Sequence, residues 1–328
     1  MALKEESPFG KQILEPGRLR RLGMVGVVGA LGYLIVTLVL DRVLLLEGLR
    51  RIEVWQWAVL ALLSLFNYGL SFWRWSLYVN RAPQPTRPRL QPFTHLLIFF
   101  SGFALTVTPG KVGEALRCVY LREQGVPWSR SLAALLMERL LDLLVLALLA
   151  VGYFKAVIGT WAYGSLLFIG LIAIVIFLRS PFLYERVIPR ILGRRIHGKL
   201  GSVLEDTRVL ASPRFLGLGF GLGLVAWGAE ALGFMLLLSW VGIPLGLIEA
   251  SGIYAGALVA GALSFLPGGL GGAEATMVAL LKIQGASLSI ALVITLICRL
   301  ITLWFAVVLG LVAVVLLEKG WVSRGSLQ

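Results

Sequence analysis

The chain has 328 residues, 58% of them hydrophobic and only 14% charged, and its mean hydropathy of +0.89 excludes an ordinary soluble domain. Charge-free runs at Leu22–Leu40, Val54–Trp73 and Ala156–Leu178 are each about long enough to cross a ~30 Å hydrocarbon core as helix, and the short alternating segments of a membrane β-barrel are absent. The net charge of +13 does not mark a nucleic-acid binder, because the basic residues gather in short loops between apolar runs, where they set topology and meet anionic headgroups.

In chain order, residues 1–21 form a basic segment, and a first helix follows over about 22–46. Arg18, Arg20 and Arg21 precede it as they would a signal peptide. The run is long for one and lacks a small-x-small cleavage site, so it reads as a retained helix. A second helix covers 54–79. The connector 80–92, NRAPQPTRPRLQP, is proline-rich and basic, hence a loop. The apolar stretch 93–108 ends at Pro109-Gly110, and a short helix over about 111–124 carries Lys111, Glu114, Arg117, Arg122 and Glu123. That arm is too short and too charged to span lipid. The pair therefore reads as a re-entrant hairpin, a break tolerated only where protein or a water-filled cavity surrounds it.

Helices over 128–153 and 156–178 come next. The loop 179–214 holds eight basic residues against Glu185, Glu205 and Asp206. The helix 214–240 carries Gly217, Gly219, Gly221, Gly223, Gly228 and Gly233, which permit close helix packing. A second hairpin follows: an apolar arm at 247–266, the loop Pro267-Gly268-Gly269-Leu270-Gly271-Gly272, and a short arm at 273–284. A long helix over 287–317 and a short tail, 319–328, complete the chain.

The fold class is therefore all-α polytopic membrane protein, with six transmembrane helices plus two re-entrant helical hairpins in one domain at 22–318. The basic residues of the N-terminus, the 80–92 connector, the 122–130 turn, the 179–214 loop and Lys319 fall on one side under this count. The positive-inside rule then places both termini in the cytoplasm and the protein in the cytoplasmic (inner) membrane.

Within that domain the chain contains a rough copy of itself. Glu114–Leu140 and Glu274–Leu300 align at an offset of 160 and are identical at ten of 27 positions, among them Glu114/Glu274, Gln124/Gln284, Gly125/Gly285 and Arg139/Arg299. Each copy follows a Pro-Gly loop. Repeat 1 covers about 54–153 and repeat 2 about 214–317. Their matching long helices are three crossings apart, and an odd separation reverses direction. The duplication is thus expected to be an inverted repeat, an architecture that places a substrate site near the bilayer midplane.

Charges at lipid depth cost roughly 2.5–3.5 kcal/mol each on insertion scales, so those that occur there need a reason. Arg139 and Arg299 occupy equivalent places in the two repeats. Each can hold a phosphate through two parallel hydrogen bonds, or can form a structural ion pair with Glu114 or Glu274. Glu138 and Asp142 flank Arg139, whereas Cys298 and Thr302 stand at the matching positions of repeat 2. These carboxylates can exchange a proton or serve as partners of an arginine. Glu114 and Glu274 open the short helices, where the helix dipole favours an acid. The loops around Gly110, Gly113, Gly268 and Gly271 offer backbone N–H groups at a helix start, a setting that suits an anion, and Lys111 adds a positive charge in the first. Glu230 is an intramembrane acid and a second-rank candidate for the pathway. Arg74, between Trp73 and Trp75, reads as an interfacial side chain. His95 and His197 receive no role. Cys118 and Cys298 read as small core residues, and neither a metal-ligand spacing nor a P-loop, HExxH or nucleophile elbow is present. No metal, cofactor or catalytic residue is expected.

The stretch TPGKVGEALRCVYLREQGVPWSRSLAALLMERLLDLL, with LPGGLGGAEATMVALLKIQG and the later CRLITLW, resembles the lysylphosphatidylglycerol synthase transmembrane region, or flippase-like domain, family. The resemblance covers about 20–318. It rests on the P-G-x-x-G-E loop with the downstream E-R-L-L-D, and on the P-G-G-L-G-x-x-E loop with its downstream arginine. It implies a multi-helix unit that moves lipids between leaflets. In the best-known members that unit flips aminoacylated phosphatidylglycerol and a separate soluble domain attaches the amino acid. Here the chain ends about ten residues after the last helix, so aminoacyl transfer is not expected. Other relatives are linked with polyprenyl-phosphate sugar carriers. The expected function is a flippase or scramblase for a phosphate-bearing lipid, an anionic or aminoacylated phospholipid or a polyprenyl phosphate. A secondary transporter of a small soluble anion is the alternative, and an enzyme acting on lipid-linked substrates ranks last. A second copy of the chain or a lipid-synthesis enzyme are the protein partners left open.

Overall fold

The computed structural model describes residues 52–81, 90–108, 113–158, 162–180, 201–264 and 266–319, and every regular element within them is helical. The expected span at 22–46, the segment 1–21, most of the proline-rich connector, the basic residues between 181 and 200, and all but the first residue of the tail lie outside the described residues, as do Gly110 and Lys111. Repeat 1 comprises α1 (Val54–Val79), α2 (Pro92–Ser101) with a 3-10 turn over Gly102–Leu105, α3 (Leu116–Glu123) and α4 (Trp128–Ile158). Then come α5 (Ala162–Arg179) and α6, helical over 201–210. Repeat 2 comprises α7 (Pro213–Trp240), α8 (Leu247–Leu263), a 3-10 turn over Pro267–Gly269, α9 (Gly272–Ile283), α10 (Leu288–Arg299), a π turn over Leu300–Trp304 and α11 (Phe305–Glu318).

Three described helices are long and apolar enough to cross a membrane: α1, α7, and the continuous α10–α11 rod over Leu288–Glu318. Their outer faces show Leu62, Phe66, Trp73, Leu218, Val308 and Val312 to the surroundings. Their inner faces bury Asn67, Arg74, Glu230 and Arg299. Apolar outside and charged inside reverses the arrangement of a soluble bundle, as expected where the solvent is lipid.

The two repeats end their short arms in the same way. After α3 the N–H of Gly125 donates to Arg122 O at 2.9 Å and that of Val126 to Leu121 O at 2.9 Å. After α9 the N–H of Gly285 donates to Lys282 O at 3.0 Å and that of Ala286 to Leu281 O at 3.1 Å. Both are Schellman closures, which need a left-handed residue after the cap. Gly125 and Gly285 supply it, with φ of 80° and 86°. The repeats also pack reciprocally: α4 of repeat 1 lies along α8 of repeat 2, α11 lies along α2 and the turn after it, and α1 lies along α7. Each long helix thus embraces the hairpin of the other repeat.

Gly310 makes one of these contacts possible. A Cβ there would lie 2.6 Å from the carbonyl carbon of Phe103 and closer still to the amide nitrogen of Ala104. Both obstacles are backbone and cannot rotate away. Gly310→Ala is therefore expected to push α11 off the first hairpin at a cost of about 1–3 kcal/mol or more. Unfolding of the purified variant in SDS-containing mixed micelles checks this. A transition like that of the wild type would show that the two backbones can separate freely.

The structure departs from the sequence reading in three places. Part of the expected loop 179–214 is helical: Val203, Thr207 and Leu210, spaced i, i+4 and i+7, all turn inward, and Asp206 pairs with Arg81 at the end of α1. The second arm of the first hairpin becomes α-helical only at Leu116, after a tight turn over 113–115. The long helix of repeat 2 widens into a π turn directly after Arg299, a distortion that tends to occur at functional sites.

Candidate functional site

Repeat 1 gathers six charged side chains in its interior. Arg74 comes from α1, Glu114 and Arg117 from the start of the short arm, and Glu138, Arg139 and Asp142 from α4. Successive helix residues point about 100° apart. Glu138 therefore turns towards Arg117, which hydrogen-bonds it, while Arg139 turns elsewhere. Arg74 donates to Asp142 at 2.6 Å and lies 3.6 Å from Glu138. The guanidinium of Arg117 stacks over the Trp75 ring at 3.9 Å and lies 3.7 Å from Glu114. Trp227 donates to Asp142 at 2.9 Å and Thr106 to Glu114 at 2.9 Å. Three guanidiniums match three carboxylates, the condition under which buried charge is tolerable.

The three arginines are not equivalent. The side chains of Arg74 and Arg117 are 2% and 1% exposed, whereas that of Arg139 is 29% exposed. Arg139 sits 3.3 Å from Glu114, 3.4 Å from Asp142 and 3.8 Å from Glu138, all longer than the 2.7–2.9 Å of a close charge-assisted bond. Arg74 and Arg117 fix the carboxylates. Arg139 is held less closely and is the most exposed of the three.

Repeat 2 keeps a reduced version. Arg299 donates to Glu274 at 2.5 Å and to the Gly268 carbonyl at 3.2 Å. Glu274 in turn accepts the Gly271 N–H at 2.7 Å. Gly268 and Gly271 have φ of 62° and 87°, so the loop needs glycine at both points. In both repeats the glutamate that opens the short arm meets the arginine 25 residues later. The ion pair of each repeat is thus a shared structural feature, and the acid at the helix start also answers the dipole.

Arg139 and Arg299 open onto one cavity of about 90 Å³, room for several waters. Glu114, Glu138, Asp142 and Glu230 also line it, with Asn67, Tyr68, Trp227, Tyr254 and Thr302. The phenol of Tyr68 donates to the Thr302 carbonyl inside the π turn at 2.7 Å. Glu230 is 6% exposed and accepts one hydrogen bond, from Ser64 at 3.2 Å.

Of the residues singled out from sequence, Arg139, Arg299, Glu114, Glu138, Asp142 and Glu230 thus meet around one cavity. Glu274 and Gly268 stand behind Arg299 and are not among its lining residues. The backbone N–H of Gly113 is taken by Thr108 Oγ1 at 2.7 Å and that of Gly271 by Glu274. Sequence reasoning misplaced Arg74, which does not lie at an interface but anchors Asp142 and Glu138. It gave no role to Arg117. The signal was present: Arg117 follows Glu114 by three residues inside an apolar stretch, where an unpaired charge is untenable. Among the described residues no group of three or more His, Cys, Asp or Glu is arranged to hold a metal ion. Two arginines and four carboxyl groups thus line one cavity.

Comparison with known proteins places the chain in a family. Two proteins of Methanothermobacter thermautotrophicus, each described as a UPF0104 membrane protein, are similar to the chain. One is 27% identical over 286 residues, 80% of this chain and 84% of the relative. The other is 22% identical over 315 residues, 88% and 93% of the two chains. The family model for the lysylphosphatidylglycerol synthase TM region matches residues 23–310, which contain both hairpins, the six-charge cluster and the cavity. The chain is a helical membrane protein and belongs to the lysylphosphatidylglycerol synthase TM region family.

Proposed function

We propose that the protein is a flippase or scramblase that moves a phosphate-bearing lipid between leaflets through the cavity where the two repeats meet. The observation that carries this reading is the inequality among the arginines. A purely structural cluster has no use for an arginine whose side chain is 29% exposed and whose guanidinium is held at 3.3–3.8 Å, opening onto the same cavity as the equivalent arginine of the other repeat. A headgroup phosphate offers the oxygens that such a guanidinium binds through paired hydrogen bonds. In this reading six spans and two re-entrant hairpins form an inverted repeat in the cytoplasmic membrane, with both termini in the cytoplasm. The reciprocal packing of long helices on opposite hairpins supports it, because alternating access needs two related halves around one site. The protein acts as a transporter and not an enzyme, and its partners are membrane lipids, anionic phospholipids or a polyprenyl phosphate.

The test is lipid translocation in reconstituted vesicles, with head-labelled phosphatidylglycerol and a labelled polyprenyl phosphate. Removing one charge-assisted contact worth roughly 1.5–3 kcal/mol is expected to slow transport by about 10- to 100-fold in Arg139→Ala. The variant should fold, because Arg74 and Arg117 still hold the carboxylates. Unaltered lipid movement in Arg139→Ala would sink the reading. Release of entrapped inorganic phosphate without lipid movement would transfer it to a soluble anion.

A further inference from the structure

We infer that Glu230 is a proton-exchange site whose protonation is linked to the binding of the anionic headgroup. The inference rests on the headgroup reading above and adds to it what balances the charge. Among the described residues, four guanidiniums around the cavity and its ion pairs, Arg74, Arg117, Arg139 and Arg299, face five carboxyl groups, Glu114, Glu138, Asp142, Glu230 and Glu274. Four of the five acids lie within 4.0 Å of an arginine. Glu230 does not. Its one hydrogen bond comes from a neutral serine, and it is buried at lipid depth in α7. An arginine partner holds a carboxylate in its charged form. An acid without one can shed its charge only by taking a proton.

The surroundings of Glu230 suit exchange. Ser64 and Tyr68 face it from α1, Tyr254 from α8, and Cys298 from α10. Asp142 and Arg139 from α4 and Arg299 from α10 share its cavity. No other cation among the described residues enters that space. Glu230 and Thr302 also line a second, smaller cavity of about 20 Å³, with Leu60, Phe234, Leu237 and Ile301. That volume accommodates about one water. α1 and α7 run antiparallel: Trp55 meets Trp240 at one end and Tyr78 meets Phe215 at the other. The small cavity lies towards the Trp55/Trp240 end. Glu230 therefore sits between the headgroup cavity and a water-sized step towards one membrane face.

The linkage has a definite sign. An ionised Glu230 repels an anion entering the cavity that it shares with Arg139 and Arg299, whereas a protonated Glu230 does not. Anion affinity thus rises as pH falls, by up to ~10-fold per pH unit for one linked proton, and the bound anion equally favours the proton. One proton taken up with each anion keeps the formal charge of the site constant.

Two measurements on the full chain test this, in wild type and Glu230→Gln. The first is proton uptake on binding short-chain phosphatidylglycerol, whose phosphodiester keeps a single charge, read calorimetrically at about pH 8 in buffers of different ionisation enthalpy. Wild type is expected to take up a fraction of a proton per lipid that grows towards one as the pH is raised, and E230Q none, with E230Q binding more tightly. Equal uptake by the two overturns the inference. The second is the infrared carbonyl band of a protonated carboxylic acid, which needs no lipid. It is expected in wild type, to fade at alkaline pH, and to be missing from E230Q. A band absent from wild type, or kept by E230Q, overturns the inference as well. If phosphatidylglycerol binds to neither protein, the headgroup reading fails for that lipid, while the infrared result still decides the role of Glu230.

Discussion

Arg117→Ala is expected to destabilise the protein by about 3–5 kcal/mol, the cost of leaving a buried charge without its partner. Glu138 is the charge left behind. Arg117 hydrogen-bonds it, and the nearest remaining cations are Arg74 at 3.6 Å and Arg139 at 3.8 Å. Arg74 is already committed to Asp142. The substitution also removes the guanidinium stacked on Trp75, worth a further ~0.5–2 kcal/mol where the pair is desolvated. Arg117→Lys restores the charge but neither the fork nor the flat stacking surface, so it should recover only part of the loss. Unfolding in SDS mixed micelles, followed by tryptophan fluorescence, measures both variants. Full recovery by lysine would mean that charge alone matters here. Arg117→Ala with wild-type stability would mean that Glu138 is neutral in the native state, and the balanced cluster would have to be redrawn.

The chain shows where sequence is explicit and where it is silent. The second helix was readable to its ends because a charge-free run begins at Val54 and the proline-rich, basic connector begins at Asn80. The break between the two arms of repeat 2 was readable because proline and glycine interrupt an apolar segment, and α8 ends at Leu263 before the turn over Pro267–Gly269. Gln-Gly recurs at 124–125 and 284–285, and both glycines close their helices with a Schellman turn. The Glu–Arg pairs were legible from their repeated spacing of 25. The π turn after Arg299 carries no comparable mark. It depends on the tertiary contact of Tyr68 with the Thr302 carbonyl, 234 residues apart, and no local pattern encodes that. Arg74 was misread for a related reason. Its tryptophan neighbours fit the membrane surface, but which face of α1 it occupies was settled only by Asp142 on another helix. The helix at 201–210 was hidden by the surrounding charge, which masked a short apolar stripe.

The site itself divides along the same line. Composition and spacing point to Arg139 and Arg299, but not to the difference between them. That difference arises because repeat 1 retains Glu138 and Asp142 where repeat 2 has Cys298 and Thr302. The extra acids require two extra arginines, Arg74 and Arg117. With those in place Arg139 becomes the partner that can be spared. In repeat 2 the single acid and single arginine bind each other at 2.5 Å, and the side chain of Arg299 is only 5% exposed. Related sequences thus yield one loosely paired and one tightly held guanidinium lining the same cavity.

That asymmetry makes the Glu274–Arg299 pair the place where stability and transport can be separated. Arg299→Ala alone is expected to cost about 3–5 kcal/mol, because Glu274 loses its partner and the Gly268 carbonyl loses a donor. Loss of transport in that variant would by itself prove little. The double substitution Glu274→Gln, Arg299→Met removes both charges and keeps similar volumes. Replacing a buried pair with uncharged residues is often neutral or stabilising, and the amide oxygen introduced by Glu274→Gln can still accept the Gly271 N–H that the carboxylate accepts now. The double variant should therefore unfold within about 1 kcal/mol of wild type while the single variant does not, a coupling typical of residues in direct contact. Lipid translocation should remain at least about 10-fold down in both, because neither has a cation at position 299 to meet a phosphate. Transport that returns together with stability would make Arg299 a structural residue only. The headgroup would then have to be carried by Arg139 alone, on one side of the cavity, and the two-sided site that alternating access requires would be absent.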